Sequence, residues 1–295
     1  QNNPLTESEK LEWLRLSRTE NVGPITFYRL VERYGSAGRA LEALPELSRR
    51  GGRKKPLVAP DPASVTKEYG ALRKAGGDIV SAACVEYPLA LGAIDDAPPV
   101  ISYFGDISLA NKNVIGMVGA RNASLNGRKF AAMLAKELGA RDQIVASGLA
   151  RGIDTAAHEG SLKSGTIAVV AGGLDVVYPS ENTKLYEAIK AQGLVLAESP
   201  LGVKPIARHF PKRNRIVSGL SKACVVIEAT MRSGSLITAR MAGEQGRDVM
   251  AVPGHPLDPR AQGPNHLIRE GATLVRSVDD ILEIIRNFGG TGMRE

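Results

Sequence analysis

The sequence lacks the features that would place it in a membrane, in an oxidising compartment or around a metal ion. No apolar run approaches the length of a membrane span, so no membrane-spanning segment is predicted. The two cysteines, Cys84 and Cys224, lie in apolar contexts, which favours reduced, buried thiols in a cytoplasmic protein over a disulfide. The four histidines lack metal-ligand spacing, so we predict no metal site.

Common motifs of nucleotide-binding and hydrolytic enzymes are also missing. There is no Gly-Lys dipeptide, which excludes a Walker A loop, and the first core strand ends GMVGARN, unlike the G-x-G-x-x-G pattern of dinucleotide sites. No serine lies in a G-x-S-x-G elbow. We therefore predict a protein that is not an enzyme and that has neither catalytic residues nor a cofactor.

Two residue types near the stretch SGLARGID, residues 147–154, leave a catalytic alternative open. His158 follows this stretch on a predicted helix and has the chemistry of a base, but a structural hydrogen bond is the favoured role. Asp154 and Asp175 have the chemistry of an acid pair. An aspartate in a first helical turn is more simply a cap or a partner for a loop arginine.

Acidic residues are absent over one long basic stretch, and aromatic residues are few throughout. The net charge is +7, and no acidic residue lies between Glu198 and Glu228. A stretch of one charge sign favours a nucleic-acid partner. Because aromatic residues form only 4% of the chain, a broad stacking platform for bases is not expected. The basic residues in this stretch are Lys204, Arg208, Lys212, Arg213, Arg215 and Lys222.

The amphipathic patterns predict a small all-α domain over residues 1–70, a main domain over 71–287 and a flexible tail over 288–295. Within the first domain, ENVGPITFYRL is typical either of a DNA-binding helix-hairpin-helix element or of a plain corner between two helices. The Gly-, Pro- and Lys-rich stretch GGRKKPLVAPDP predicts a linker over residues 51–62. A Pro-rich segment over residues 86–106 is expected to be extended.

From residue 113 onward, short apolar runs alternate with helical patterns. The runs NVIGMVG, QIVAS, TIAVVAGG, LVLAES, ACVVIEA and DVMAVPG are continuously apolar, as expected for strands covered on both faces. This alternation predicts an α/β fold with a doubly wound, mostly parallel, Rossmann-like sheet.

The predicted strand ends share glycine or proline, and most carry a basic residue or a small hydroxyl. In an open parallel sheet, ligands bind at the carboxyl ends of the strands, where helix N-terminal amides bind anions. Several such loops on one edge predict an extended anionic ligand. The basic residues of these loops are Arg121, Arg151, Lys184, Arg213, Arg215 and Arg232.

Three long motifs, in this order, carry a resemblance to the DNA-processing protein A family (DprA, also called Smf). They are SGLARGIDTAAHEGSL, GTIAVVAGGLDVVYPSENTKLYEAI and FPKRNRIVSGLSKACVVIEATMRSGSLITARMAGEQGRDVMAVPG. The helical N-terminus is similar to the SAM-like domain that often precedes the family's core. Many members add a winged-helix-like domain after the core. The sequence ends too soon after the core to hold one, so we expect that this member lacks the domain or that it was removed.

The resemblance implies a cytoplasmic protein of natural transformation that binds and protects single-stranded DNA and helps to load the recombinase RecA. It also implies a homodimer that needs neither nucleotide nor metal. Family DNA contacts map onto Arg121, Lys184, Arg213 and Arg215, and the surrounding motifs complete the predicted site. The predicted DNA-binding residues are Arg121, Gly148, Arg151, Gly152, Lys184, Lys212, Arg213, Asn214, Arg215, Ser233, Gly234 and Ser235.

Two other functions stay open at this stage. Nucleoside-monophosphate phosphoribohydrolases of the same broad superfamily carry a P-G-G-x-G-T-x-x-E motif with a catalytic glutamate. Thr238 stands at that position in MRSGSLITA, so the hydrolase alternative has no obvious base. A basic domain that binds RNA or duplex DNA is the third alternative, because charge alone does not separate the three.

Overall fold

The computed structural model describes residues 5–50 and 57–288, and it begins with a helical domain. A capping box starts its first helix, because the Thr6 hydroxyl accepts from the Glu9 amide and the Glu9 carboxylate accepts from the Thr6 amide. The second helix starts at Pro24 and is closed by Gly35, whose φ of 81° suits a glycine cap. The helices are α1 (Glu7–Ser17), α2 (Pro24–Tyr34), α3 (Ala37–Arg50) and α4 (Pro62–Lys74).

Nine strands of the described chain form one sheet in the order β1-β2-β6-β5-β4-β3-β7-β8-β9. Strands β3 to β9 pair in parallel, whereas β2 runs antiparallel to both β1 and β6. Strands β4 to β7 are buried along their whole length, which explains their continuously apolar sequences. The strands are β1 (Asp78–Ser81), β2 (Val100–Gly105), β3 (Asn113–Gly119), β4 (Gln143–Ser147), β5 (Thr166–Val170), β6 (Leu194–Ala197), β7 (Ala223–Ile227), β8 (Asp248–Ala251) and β9 (Thr273–Leu274).

Helices cover both faces of this sheet. Helices α6, α7 and α12 bury their apolar sides against one face, and α9 and α10 bury theirs against the other. The order of strands reverses between β3 and β7, which makes this the switch point of the sheet. The helices are α5 (Leu89–Gly92), α6 (Leu125–Gly139), α7 (Ile153–Ser161), α8 (Thr183–Gln192), α9 (His209–Leu220), α10 (Gly234–Glu244), α11 (Gln262–Arg269) and α12 (Val278–Phe288), with short 3-10 turns at Ile107–Asn111, Ser180–Asn182 and Pro259–Ala261.

The predicted fold class is confirmed, and the main difference lies before residue 113. The segment predicted as simply extended, 86–106, contains α5 and the antiparallel strand β2, and β1 lies before it. Helix α4 runs through the predicted domain boundary at residue 70 and contacts both α1 and β1. Most of the predicted linker and tail, residues 51–56 and 289–295, falls outside the described residues. No helix in the described ranges has the length and apolarity needed to cross a membrane.

Candidate nucleic-acid interface

A cavity of about 860 Å³ opens at the carboxyl ends of β3, β4 and β7, at the switch point of the sheet. Five segments that are far apart in the sequence supply its lining. Such crevices at the switch point are the usual ligand sites of open α/β sheets. The lining residues fall within 118–122, 148–154, 207–217, 230–238 and 258–260.

The loop between β4 and α7 forms one wall, and it is held in place by its own aspartate. The buried Asp154 carboxylate accepts from the amides of Gly148 at 3.1 Å and Ala150 at 3.3 Å. Burial raises the pKa of Asp154, although Arg213 and these amides act in the opposite direction. The expectation of a helix cap or of a partner for a loop arginine is not met, because Asp154 binds amides of the loop that precedes α7, and the N-cap residue of α7 is Gly152. These two amides bind a side chain of the protein, so they are not free to bind a phosphate.

Gly152 shapes this loop and contributes no ligand group. Its φ is 78°, and a Cβ at this position would lie 2.2 Å from the Ala120 carbonyl oxygen. The close approach lets the Ile153 amide donate to the Ala120 oxygen at 3.2 Å. Gly152 thus joins the loops after β3 and β4, and only glycine fits.

Arg213 lies under the cavity, and its guanidinium braces the ends of two strands. Only 6% of the residue is exposed. Its Nη1 donates to the carbonyl oxygen of Gly148 and, at 2.6 Å, to that of Val169. Burial lowers the pKa of Arg213 to about 10, so the side chain remains charged at neutral pH. It therefore places a positive charge beneath the cavity while fixing the end of β4.

Arg121 is the exposed counterpart of this buried arginine, on the loop after β3. Its Cζ lies 5.1 Å from the centre of the Phe210 ring, a cation–π distance. The Phe210 ring packs in turn against the exposed Tyr178 ring, with 5.8 Å between ring centres. Within the described chain, Arg121 forms no ion pair. Arg121 at the cavity mouth thus lies near two aromatic rings, of which Phe210 lines this cavity and Tyr178 lines the small cavity next to it.

The loops after β7 and β8 complete the cavity. Ser233 caps α10, and its hydroxyl accepts from the Ser235 amide at 3.3 Å. Gly234 between them has open space around its Cα. Arg232 is exposed at the lining. Arg260 also lines the cavity but is paired with Asp258 at 3.1 Å.

Seven of the predicted site residues meet in this one cavity, and five do not. Arg121, Gly148, Arg213, Asn214, Ser233, Gly234 and Ser235 line it. Arg151 lines a small neighbouring cavity and pairs with Glu181 at 2.6 Å. Lys212 lines a cavity between α9 and the α1–α2 turn, and Lys184 is exposed at the start of α8. Gly152 and Arg215 are the other two.

Arg215 lies in the stretch between Glu198 and Glu228 that has no acidic residue, but acidic residues from outside that stretch surround it in the fold. Its guanidinium is buried and pairs with Glu198 at 2.6 Å and with Asp96 at 3.4 Å. It also donates to the Asp96 carbonyl oxygen at 2.6 Å. The partners come from the end of β6 and from the segment before β2, so the sequence around Arg215 does not reveal them. We infer a structural role for Arg215.

The candidate bases near the cavity are all engaged in structural contacts. His158 is fully buried, its Nδ1 lies 2.8 Å from the Thr166 hydroxyl, and burial lowers its pKa to about 3. The Glu228 carboxylate accepts from the amide of Ser124 at 2.8 Å and from its hydroxyl at 2.5 Å. Thr238 is 2% exposed. These groups are held in place and are not offered to a substrate.

Phe210 and Arg260 are lining residues that the sequence analysis did not single out. Phe210 was detectable in principle, because it is an aromatic residue at the start of the basic helix α9, followed directly by proline. Arg260 gave no such signal, since it lies in a Pro- and Gly-rich loop and its pairing with Asp258 is local.

Comparisons with protein families give two matches along the chain. The family described as DNA recombination-mediator protein A matches residues 78–286, and the DprA-like N-terminal HHH domain matches residues 7–71. The DNA processing protein DprA of Streptococcus pneumoniae is 46% identical over 198 residues, covering 66% of this chain and 70% of that protein. The DprA of Bacillus subtilis is 43% identical over 216 residues, covering 72% and 73%.

Solved structures agree with the sequence comparisons. The crystal structure of DprA from Streptococcus pneumoniae superposes with a TM-score of 0.81 at 36% identity, covering 95% of this chain and 98% of that one. DprA from Helicobacter pylori, described for its single-stranded DNA binding mode, gives a TM-score of 0.66 at 26% identity, covering 72% and 96%. Both parts of the fold described above therefore have relatives of known structure.

Proposed function

The chain belongs to the DNA recombination-mediator protein A family, and on that premise we propose that it binds single-stranded DNA at the switch-point cavity during DNA processing in transformation. The observation that carries this proposal is the placement of two arginines at one cavity. Arg121 is exposed at the mouth and forms no ion pair within the described residues, and Arg213 is buried below it. A phosphate between them would be attracted by both charges. The Helicobacter pylori relative, which binds single-stranded DNA, supports the choice of ligand.

The aromatic pair beside Arg121 suits the bases of the same strand. Tyr178 is 51% exposed and Phe210 lines the cavity, so each ring has a surface that a base can reach. Stacking of bases on aromatic rings tolerates any sequence, because every base has an aromatic face. The proposed grip is thus independent of sequence, with cations holding phosphates and two rings holding bases.

We propose that this binding involves no covalent chemistry. The carboxylates and the histidine nearest to the cavity are held by backbone amides, by hydroxyl groups or, for Asp258, by Arg260, and Thr238 stands where the related hydrolases carry a glutamate. Incubation with nucleoside monophosphates, or with DNA and a divalent metal, is expected to give no turnover above the blank. Turnover that disappears in an Asp154→Asn variant would support the hydrolase alternative.

The DNA proposal is tested by Arg121→Ala, with Arg141→Ala as the matched control. Both changes remove one positive charge from an exposed arginine, but Arg141 lies beyond the far end of α6, before β4 begins. Contacts to phosphates of a single strand give a salt slope of about −0.7 per phosphate neutralised. We expect Arg121→Ala to weaken binding to many sequences alike and to reduce the slope by about 0.7.

Two outcomes would contradict the proposed site. The first is an Arg121→Ala protein that is folded and keeps its affinity and salt slope. The second is an equal loss of affinity in the Arg141→Ala control. Competition between single-stranded DNA, duplex DNA and RNA in the same assay tests the ligand, and stronger binding to RNA or duplex would favour the third alternative.

We further propose that the protein acts in the cytoplasm as a homodimer and delivers its DNA to the recombinase RecA. These proposals rest on membership of the family. Light scattering at micromolar concentration is expected to give about twice the chain mass of 31.3 kDa. A monomeric mass with unchanged DNA affinity would contradict the dimer. Co-purification of RecA with the DNA-bound protein tests the second partner.

A further inference from the structure

Three exposed aliphatic side chains lie next in sequence to residues that line the cavity, each on a different loop. We call Ile206, Met231 and Leu257 the aliphatic rim; their exposed fractions are 45%, 49% and 86%. They lie after β6, β7 and β8, respectively. Each is the direct chain neighbour of a residue that lines the cavity. These lining neighbours are Ala207, Arg232 and Asp258.

This exposure is not explained by packing within the chain. A single exposed apolar residue on a surface needs no explanation, but exposed apolar groups gathered around one opening mark a binding surface. Each rim residue directly precedes a lining residue, so the rim lies beside the cavity that Arg121 and Arg213 line. Its occupant therefore has to join negative charge with apolar surface. An unpaired DNA strand does so, because each phosphate is followed by a base with two apolar faces.

We propose that the aliphatic rim contacts the unpaired bases of a strand whose phosphates the cavity holds, and that these contacts set the preference for single-stranded over duplex DNA. This inference rests on the proposed function. Phosphates are present on both forms of DNA, so the arginines favour both. In a duplex the base faces are stacked on one another, so only an unpaired strand presents them to Ile206, Met231 and Leu257.

The test compares Met231→Ser, Leu257→Ser and the triple variant that also carries Ile206→Ser. Met133→Ser is the matched control, because Met133 is a methionine of similar exposure, 46%, on α6 away from the cavity. Affinities are measured for a single strand, for an abasic strand of equal length and for the duplex, each over a range of salt concentrations. Thermal melting confirms that every variant is folded.

Burying part of an aliphatic side chain against a base contributes modestly, so each single change is expected to weaken single-strand binding by about threefold and the triple change by at least about tenfold. Binding of the abasic strand and of the duplex is expected to stay unchanged, and so is the salt slope, since no charge is altered. Arg121→Ala, measured in the same series, is expected to weaken all three ligands.

The inference is overturned if the folded triple variant keeps its affinity for the single strand, which would leave the rim as a surface for a protein partner. An equal loss on single, abasic and duplex DNA would also overturn it, because such a loss does not depend on bases. In either case the effect of Arg121→Ala separates the two proposals. A loss there with an unaffected rim variant retains the DNA site and rejects the rim alone.

Discussion

At the scale of single residues, burial decides what an arginine does in this protein. Arg121 and Arg213 line the same cavity, but Arg121 is exposed and has no ion pair among the described residues, whereas Arg213 is 6% exposed and bonded to two carbonyl oxygens. A buried polar group without a partner is costly, so removing Arg213 also affects the groups that it leaves behind. The two residues should therefore separate affinity from stability.

Arg213→Ala is expected to lower the free energy of unfolding by about 2–4 kcal/mol, because the Gly148 and Val169 oxygens would lose a charged donor in a buried place. The measurement is the urea concentration at the midpoint of unfolding, which reports the free energy of unfolding when the dependence of that free energy on urea concentration is the same in both proteins. Arg121→Ala serves as the comparison and is expected to stay within about 0.5 kcal/mol of the parent protein. Equal losses in the two variants would contradict the assigned roles.

The buried His158 predicts a loss of stability in mild acid. Its pKa falls from an unfolded value near 6.5 to about 3 in the folded chain, so the unfolded chain binds more protons between these values. The stabilising contribution is complete above pH 6.5 and is lost as the pH falls toward 3. Between pH 7 and pH 5 the loss is expected to be on the order of 2 kcal/mol.

His158→Gln tests whether His158 causes this loss of stability in acid, since glutamine does not titrate and retains an amide to face the Thr166 hydroxyl. Urea unfolding at pH 7 and pH 5 is expected to show a smaller difference in this variant. Asp154 is the same in both proteins, so its own titration cancels in the comparison. An unchanged difference would show that another group causes the acid sensitivity.

At the scale of elements, helix α9 faces the cavity on one side, with Arg213, and the acids Asp96 and Glu198 on another, with Arg215. The sequence predicts the helix but not which residue lies on which side. The strands β3 to β8 were predictable, because strands covered on both faces have continuously apolar sequences. The strand-end location of the site followed from the parallel order. The orientations of Arg213 and Arg215 did not, since their partners Val169, Asp96 and Glu198 are distant in sequence. Strand β2 was missed because its Pro-rich surroundings resemble a loop.

The turn between β4 and α7 gives a prediction about glycine. Gly152→Ala is expected to destabilise the fold by roughly 2 kcal/mol or more, because an L-residue is strained at φ 78° and its Cβ would meet the Ala120 oxygen. Gly234→Ala is the control, since nothing lies within 4 Å of a Cβ there. The readout is the melting temperature, and two equal shifts would be inconsistent with this account.

At the scale of the whole molecule, the helical domain is fastened to the sheet by charged groups as well as by apolar packing. Arg18, which directly follows α1, pairs with Glu68 of α4 at 2.9 Å and donates to the Glu198 carbonyl oxygen at 2.9 Å. Glu198 also holds Arg215 through its carboxylate. The end of β6 therefore connects the helical domain to α9, whose other side carries the cavity.

Arg18→Ala is expected to loosen this connection and to raise hydrogen exchange in α1 and α2 without abolishing folding. The Arg18 side chain is 11% exposed, and losing its bonds leaves partners unsatisfied at a cost of about 1–3 kcal/mol. Mass spectrometry of peptides from the helical domain reports the change. Arg29→Ala on the exposed side of α2 is the control, and similar exchange in both variants would refute the coupling.

Both edge strands of the nine-stranded sheet are short, and their length affects how two copies of the protein can associate. The outermost strands are β1, with four residues, and β9, with two. An edge strand of this length presents few free backbone groups to an incoming strand. Addition of a foreign strand is thus disfavoured at either end, which protects a chain rich in apolar strands from fibre-like stacking. We therefore expect two copies to meet through side-chain contacts and not through pairing of edge strands, so that single substitutions can change the specificity of the contact.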